Sequence, residues 1–321
     1  MEKLNYPIGG YFGLELNKSI GYHKNAIALN TARNALEYVL IAKKYQKVYI
    51  PYFTCDVVLE PFQKLNIAYE FYKIDENFEP IFDFEKILEY QAFLYTNYFA
   101  LKDKFIKFLA EKTCNLIIDN AQSFFSKPLR GLDTFYSPRK FFGVPDGAYL
   151  YSDTKLGQEL KTDKSITRFS HLLKRIDNSA EEGYLDFINN DKSLENNPIK
   201  KMSSLTSELL ASINYESIVA IRKKNMAYLH FSLSASNKLK FDTKKIGVPM
   251  VYPLLTKDGN SLRKHLINNK IFTARYWPNV TNWAKKDSFE YFLAENLIAL
   301  PIDQRYTEND MKLILNTIND Y

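Results

Sequence analysis

The chain has 321 residues, 46% hydrophobic and 25% charged, enough for about two domains with a real core and a cleft. This composition excludes a disordered chain, a coiled coil and a small disulfide-stapled module. Forty-three Lys and Arg against 37 Asp and Glu give +6, spread in pairs such as Lys43-Lys44 and Lys200-Lys201. The spread gives no reason to expect nucleic acid and favours small anionic ligands.

From residue 30 onward, apolar runs alternate with amphipathic stretches. Ala32, Ala35, Leu36 and Val39 make one helical stripe, and Val48 to Ile50 a strand closed by Pro51. Val58, Pro61, Phe62 and Leu65 repeat the helical spacing, with a kink predicted at Pro61. Tyr69 to Ile74 reads as a strand, Phe84 to Tyr90 as a helix and Phe93 to Thr96 as a strand. Phe105 to Glu111 reads as a helix, and Leu116 to Ile118 as a strand ending at Asp119. Strand and helix in alternation predict an α/β fold, a mainly parallel sheet with helices on both faces.

Between about 152 and 205 the chain turns basic, with Lys155, Lys161, Lys164, Arg168, Lys174 and Arg175 on expected helices and a loop from Asn189 to Pro198. A long helix is expected from Thr206 to Leu233, and a strand from Val248 to Leu255. A turn at Asp258-Gly259-Asn260 leads into a helix to Asn269, then a strand near Phe272 to Arg275. Thr307 and Asp310 have capping-box spacing, followed by a stripe of Met311, Ile314, Leu315 and Ile318. The expected division is a large domain over 1–205 and a smaller C-terminal α+β domain over 206–321.

Two cysteines, Cys55 and Cys114, and four histidines without ligand spacing argue against a disulfide framework and against a metal site. The opening residues carry no signal-like apolar run, and no stretch approaches the roughly 18 apolar residues of a membrane span, so the protein is read as cytoplasmic.

Ligands on parallel sheets bind beyond the carboxyl ends of the strands, which singles out three segments. Ile118-Asp119-Asn120-Ala121-Gln122 puts a carboxylate at a strand tip, where burial demands a cation opposite. Ser137-Pro138-Arg139-Lys140-Phe141-Phe142 sets a lysine among aromatic residues, where desolvation would make its amine a nucleophile toward carbonyls. Thr31-Ala32-Arg33-Asn34 opens the first helix, whose free N–H groups form an anion site. These are the requirements of pyridoxal 5'-phosphate: phosphate on a helix N-terminus, Asp on the ring nitrogen, Lys on the carbonyl. Each also has an ordinary reading: a strand-tip Asp often serves a turn, and a lone lysine often lies along the surface.

In these segments, with Ile50-Pro51-Tyr52-Phe53-Thr54 after the second strand, Pro145-Asp146-Gly147 and the closing Leu300-Pro301-Ile302-Asp303, the chain resembles the sugar-nucleotide aminotransferases of the DegT/DnrJ/StrS type. These are pyridoxal-phosphate enzymes of the aspartate-aminotransferase fold. The resemblance implies that Lys140 tethers the cofactor and shuttles a proton, that Asp119 keeps the ring nitrogen protonated, and that Gln122 bonds near the phenolic oxygen. It implies phosphate binding by the N–H groups of Ala32 and Arg33 with the side chains of Asn34 and Ser137. Cys55 falls where relatives place a ring-stacking aromatic, which makes Phe53 the candidate for that role. Lys201, in Ile199-Lys200-Lys201-Met202-Ser203, replaces in charge the arginine that in relatives reaches the phosphate of the other subunit's cofactor, and Arg275-Tyr276-Trp277 are candidates for gripping the sugar or its diphosphate. Departures are Ala32 and Ala148 in place of glycines, and Ile199 in place of an asparagine.

The implied activity is transfer of an amino group, from glutamate, to a nucleotide-linked keto sugar by a homodimer, in surface-polysaccharide or related glycan synthesis. The alternatives are a dehydration or other lyase step on the same substrate class, and a non-catalytic relative that binds nucleotide sugars. Dehydrating members carry histidine where this chain has Lys140, which favours transamination.

Overall fold

The computed structural model describes residues 8–113 and 115–321; the opening residues read for a signal segment, and Cys114, lie outside the described residues. Eight strands form one sheet: β1 (Ile27–Leu29), β2 (Lys47–Pro51), β3 (Ala68–Ile74), β4 (Pro80–Ile81), β5 (Gln91–Thr96), β6 (Leu116–Asn120), β7 (Asp133–Tyr136) and β8 (Ala148–Tyr151). Their order is β1-β8-β7-β6-β5-β2-β3-β4. The block β7-β6-β5-β2-β3 is parallel, and β4, β8 and β1 each pair antiparallel at its margins.

Alternation along each strand sorts the core into two layers. Val48, Ile50, Ala92, Leu94, Ile117, Phe135 and Leu150 face one way, against Leu36, Val39 and Leu40 of α1 (Ala32–Lys43) and Phe62 of α2 (Leu59–Leu65). Tyr49, Phe93, Tyr95, Leu116, Ile118, Tyr136 and Tyr149 face the other way, into an aromatic layer that includes Phe124 and Phe142. Both faces of β5, β6 and β7 are buried, and β5 and β6 carry apolar runs, Ala92 to Tyr95 and Leu116 to Ile118, as in parallel sheets covered on both sides. Ile117 and Asp119 share a face, so Asp119 emerges at the sheet's carboxyl edge on the side of α1.

The remaining helices are α3 (Asp103–Ala110), α4 (Ser170–Asp177), α5 (Tyr184–Ser193), α6 (Ser204–Ala211), α7 (Tyr215–Leu233), α8 (Gly259–Asn268), α9 (Val280–Trp283), α10 (Phe289–Asn296) and α11 (Glu308–Asn319). Two further strands, β9 (Tyr252–Leu255) and β10 (Leu297–Leu300), pair antiparallel. Over them pack Met226, Leu229 and Leu233 of α7, Leu262 and Leu266 of α8, and Met311 and Ile314 of α11. The Thr307 N–H donates to the Asp310 carboxylate at 2.7 Å, closing the expected capping box. No helix among the described residues is long and apolar enough to cross a membrane.

Several expected elements are corrected by tertiary context. Phe84 to Tyr90 makes only one 3₁₀ turn, Phe84–Lys86, because Leu88 bends back to accept the N–H of Gln91 and start β5. Pro61 sits in the first turn of α2, where no intrahelical donor is needed, and introduces no kink. The Asn189–Pro198 loop begins as the end of α5, since the Asn190 amide donates to the Pro145 carbonyl at 2.9 Å. Lys155, Lys161 and Lys164 lie outside helices. The long helix from Thr206 is broken after Ala211, and Asn214 caps α7 by accepting the Ser217 N–H. Gly259 opens α8 instead of making a turn; a Cβ there would meet the Asn296 carbonyl oxygen at 2.1 Å. Near Phe272 to Arg275 only Ala274 pairs, with Ala299.

Candidate active site

The carboxyl ends of the parallel strands converge on the N-terminus of α1 around a cavity of about 120 Å³. β5 contributes Thr96, β6 contributes Asp119 with Ala121 and Gln122 after it, and β7 leads to Ser137 and the one-turn helix Pro138–Lys140. The segment after β2 contributes Thr54 and Cys55, and Trp277 closes one wall.

Thr31 caps α1, its hydroxyl accepting the Asn34 N–H at 3.1 Å. The N–H groups of Ala32 and Arg33, in the first turn, have no intrahelical acceptor and carry the positive end of the helix dipole. Across the cavity Asp119 is 6% exposed; one oxygen accepts the Ala121 N–H at 2.8 Å. No cation among the described residues pairs with it at salt-bridge distance. Burial pushes its carboxyl above the usual range, against the pull of the Lys140 charge and the Ala121 N–H. Gln122 is equally committed on one side only. Its Oε1 accepts the N–H of Phe99 at 3.2 Å, which fixes the amide's orientation, and its buried Nε2 has no acceptor. Phe99 and Ala100 hold that N–H in place in left-handed backbone, with φ of 54° and 64°. Burial also raises the Cys55 thiol, partly offset by Lys140.

The cavity brings together Ala32, Arg33, Cys55, Asp119, Gln122, Ser137, Lys140 and Trp277 from the sequence-derived set. Lys140 differs from expectation: its side chain is exposed at the mouth, because the short turn after Ser137 throws it outward while Phe141 and Phe142 go into the core. Asn34 is corrected more fully. Its amide donates to Glu37 at 2.9 Å and to the Asn197 carbonyl at 2.8 Å, and its oxygen accepts the Thr31 hydroxyl, so it has no donor for an anion in the cavity. Phe53 lies beneath the site, fully buried, with its ring 4.9 Å from that of Trp277; Trp277, not Phe53, reaches the cavity. Lys201 lies outside it, exposed, in a segment bridged to Leu29 and Thr162. Arg275 is paired with Glu295, and Tyr276 packs against Phe99, so of that trio only Trp277 lines the cavity.

Thr31, Thr96 and Arg139 line the cavity without having been singled out. A threonine just before a helical stripe signals a cap, and Thr96 ends a predicted strand, so two of the three had a readable signal. Among the described residues no cluster of His, Cys, Asp and Glu could hold a metal ion.

No family model and no curated protein matches the sequence. Solved structures do. The chain is similar to a DegT DnrJ EryC1 StrS aminotransferase from Brucella abortus at 14% identity, over 92% of this chain and 85% of that one, with a TM-score of 0.60. It is similar to the putative sugar aminotransferase Spr1654 from Streptococcus pneumoniae in its PLP form at 14% identity, over 94% and 88%, with a TM-score of 0.67. DesI, solved in the presence of its TDP-sugar product, matches at 13% identity over 93% and 81%, with a TM-score of 0.62. The fold of this chain is thus that of the DegT/DnrJ/EryC1/StrS-type sugar aminotransferases.

Proposed function

We propose that the chain is a pyridoxal-phosphate-dependent aminotransferase that moves an amino group, from glutamate, to a keto sugar carried on a nucleoside diphosphate. One observation carries the reading: Lys140 and Asp119 line one cavity with the open N-terminus of α1. Three unmet demands of that cavity match three parts of the cofactor. The Ala32 and Arg33 N–H groups need an anion, Asp119 needs a cation, and the Gln122 Nε2 needs an acceptor. A phosphate, a pyridinium nitrogen and a phenolic oxygen supply them. When bound, the cofactor supplies an electron sink that makes a neighbouring C–H bond acidic.

The residues divide the remaining work. The hydroxyl of Ser137 adds a donor beside the helix N-terminus, and Trp277 supplies an aromatic wall where Cys55 cannot. Lys140, exposed at the mouth of the cavity, would hold the cofactor and would take up and return the substrate proton. Asp119 would keep the ring nitrogen protonated, the ring's positive charge in turn stabilising the buried carboxylate. The PLP form of Spr1654 and the TDP-sugar product of DesI support the cofactor and the substrate class. The wider proposal is a cytoplasmic homodimer serving surface-polysaccharide or related glycan synthesis, with cofactor binding in residues 1–205 and a smaller domain in 206–321.

Reconstituted protein should absorb in the visible, and borohydride reduction should fix the chromophore to the peptide containing Lys140. Glutamate should shift the absorbance of the wild type and leave Lys140→Ala unchanged. A protein that takes up no chromophore, and whose absorbance and activity Lys140→Ala leaves as they were, ends the proposal.

A further inference from the structure

Thr96 ends β5 at the cavity wall; Asn97, the next residue, lies off the cavity and is fully buried. Its hydrogen-bonding groups are all in use. The backbone N–H donates to the Asp119 carbonyl at 3.0 Å, and the backbone carbonyl accepts the Ser123 hydroxyl at 2.7 Å. The side-chain Nδ2 donates to the Asp103 carboxylate at 2.7 Å and to the Asn120 Oδ1 at 2.9 Å, and the Oδ1 accepts the Lys102 N–H at 3.2 Å. Only a primary amide fits this set, with one acceptor facing an N–H and two donors facing oxygens.

The Lys102 bond closes a turn over Phe99 and Ala100, both in left-handed backbone with φ of 54° and 64°. Two successive residues with side chains persist in that region only where their surroundings hold them. The Phe99 N–H, aimed by this turn, donates to the Gln122 Oε1 and so leaves the Gln122 Nε2 as the orphaned donor of the cavity. Gly247 holds the same turn from the C-terminal part of the chain. Its N–H donates to the Ala100 carbonyl at 2.9 Å, and a Cβ there would stand 2.7 Å from the Asp103 carboxylate.

We propose that Asn97 is a positioning residue: anchored on Asp103 and Asn120, it holds the Phe99 turn and through it sets the direction of the Gln122 amide. The inference rests on the aminotransferase reading for what Gln122 acts on, the phenolic oxygen of the cofactor. A space-filling role would be served equally well by aspartate, which has the shape of asparagine. A donor role would not, because a second carboxylate would face Asp103 and the Asn120 oxygen.

The test is a double-mutant cycle on cofactor-loaded protein, read by the pH midpoint of the visible band. Gln122→Ala should move the midpoint by about one unit, the worth of one hydrogen bond to a charged group. Asn97→Ala should move it the same way, and Asn97→Asp at least as far. In the Gln122→Ala background Asn97→Ala should add almost nothing. A shift of the same size in both backgrounds overturns the proposal, and so does Asn97→Asp behaving as wild type. Should the Asn97 variants not fold, Ser123→Ala, which removes only the hydroxyl on the Asn97 carbonyl, should give a smaller shift that also vanishes in the Gln122→Ala background; no shift from it then overturns the proposal. A protein that takes up no chromophore ends the aminotransferase reading and leaves the positioning testable without cofactor. By NMR, exchange of the Phe99 N–H should quicken in Asn97→Ala at least tenfold more than that of the Ile117 N–H at the centre of the sheet. Equal acceleration of the two overturns the proposal.

Discussion

Asp119 is held inside the protein, accepting the Ala121 N–H and with no ion-pair partner among the described residues, and a cation bound in the cavity would offset the cost of its burial. Burial raises its carboxyl, so folding favours the protonated form. Its contribution is most favourable below the unfolded carboxyl value and is lost as pH rises through the folded one. Asp119→Asn should therefore make the cofactor-free protein at least as stable as wild type, with the advantage growing as pH rises above the ordinary carboxyl value of about 4. In cofactor-loaded protein the order should reverse, with affinity falling on the order of 100-fold as the buried ion pair is lost. Thermal denaturation of both forms across that pH range checks this; a variant less stable than wild type in the cofactor-free state would show that Asp119 already has a partner. Gln122→Ala removes the orphaned amide and frees the Phe99 N–H at once, so cofactor retention should fall roughly tenfold, measured by release during dialysis. Asp119, Gln122 and Lys140 were legible because strand-tip chemistry is local. The fate of Asn34 was not, because Glu37 is one helical turn ahead and Asn197 arrives from a distant segment.

At the scale of elements, the segment after the Lys140 turn carries more structure than its three residues suggest. Asp146, fully buried, accepts from the Ser203 N–H at 3.0 Å, from the Ser203 hydroxyl at 2.9 Å and from the Thr206 hydroxyl, fastening the N-terminus of α6 to the sheet beside β8. Gly147 follows with φ +117°, and a Cβ there would stand 3.1 Å from both Met202 and Pro138. Gly147→Ala should cost about 1–3 kcal/mol from strain and overpacking, read as a lowered denaturation midpoint. A neutral result would mean that the turn can relax without moving Pro138 and so without moving Lys140. Nearby, burial alone would raise Asp163, but hydrogen bonds from Arg168 and Lys200 outweigh it and hold the carboxyl below its usual range. That stabilisation is present above the unfolded value and is lost as pH falls through the folded one, so Asp163→Asn should flatten the acid limb of the stability profile. Within the parallel block β2, β3, β5 and β6 were legible because each is dominated by apolar residues. β1, β7 and β8, of three or four residues each, carry too little pattern to be read and exist through their pairing.

For the whole molecule, the single chain leaves apolar surface that its own fold does not use. Ile8, Tyr11, Phe12 and Leu14 are 80%, 98%, 94% and 74% exposed on an irregular segment, whose far end is fastened by the Ser19 N–H donating to the Ala211 carbonyl at 3.1 Å. Two aromatic rings standing free in water are an unspent driving force of about 1.5–3 kcal/mol each. Under a two-fold axis every contact occurs twice, so the proposed homodimer gives this segment a place to be buried, on the second copy. The protein should then have twice its 37.5 kDa chain mass by light scattering at micromolar concentration. Replacing Tyr11 and Phe12 together by serine removes four rings from the pair and should weaken association roughly a thousandfold or more. The far-UV spectrum should be retained, since neither ring is buried against the described residues. A wild type of single-chain mass, or a double variant that stays dimeric at the lowest measurable concentration, would remove the segment from the interface. If dimerisation also completes the cofactor cavity, dilution of the variant should release the chromophore in step with dissociation. Release independent of association would mean that one copy builds the site alone.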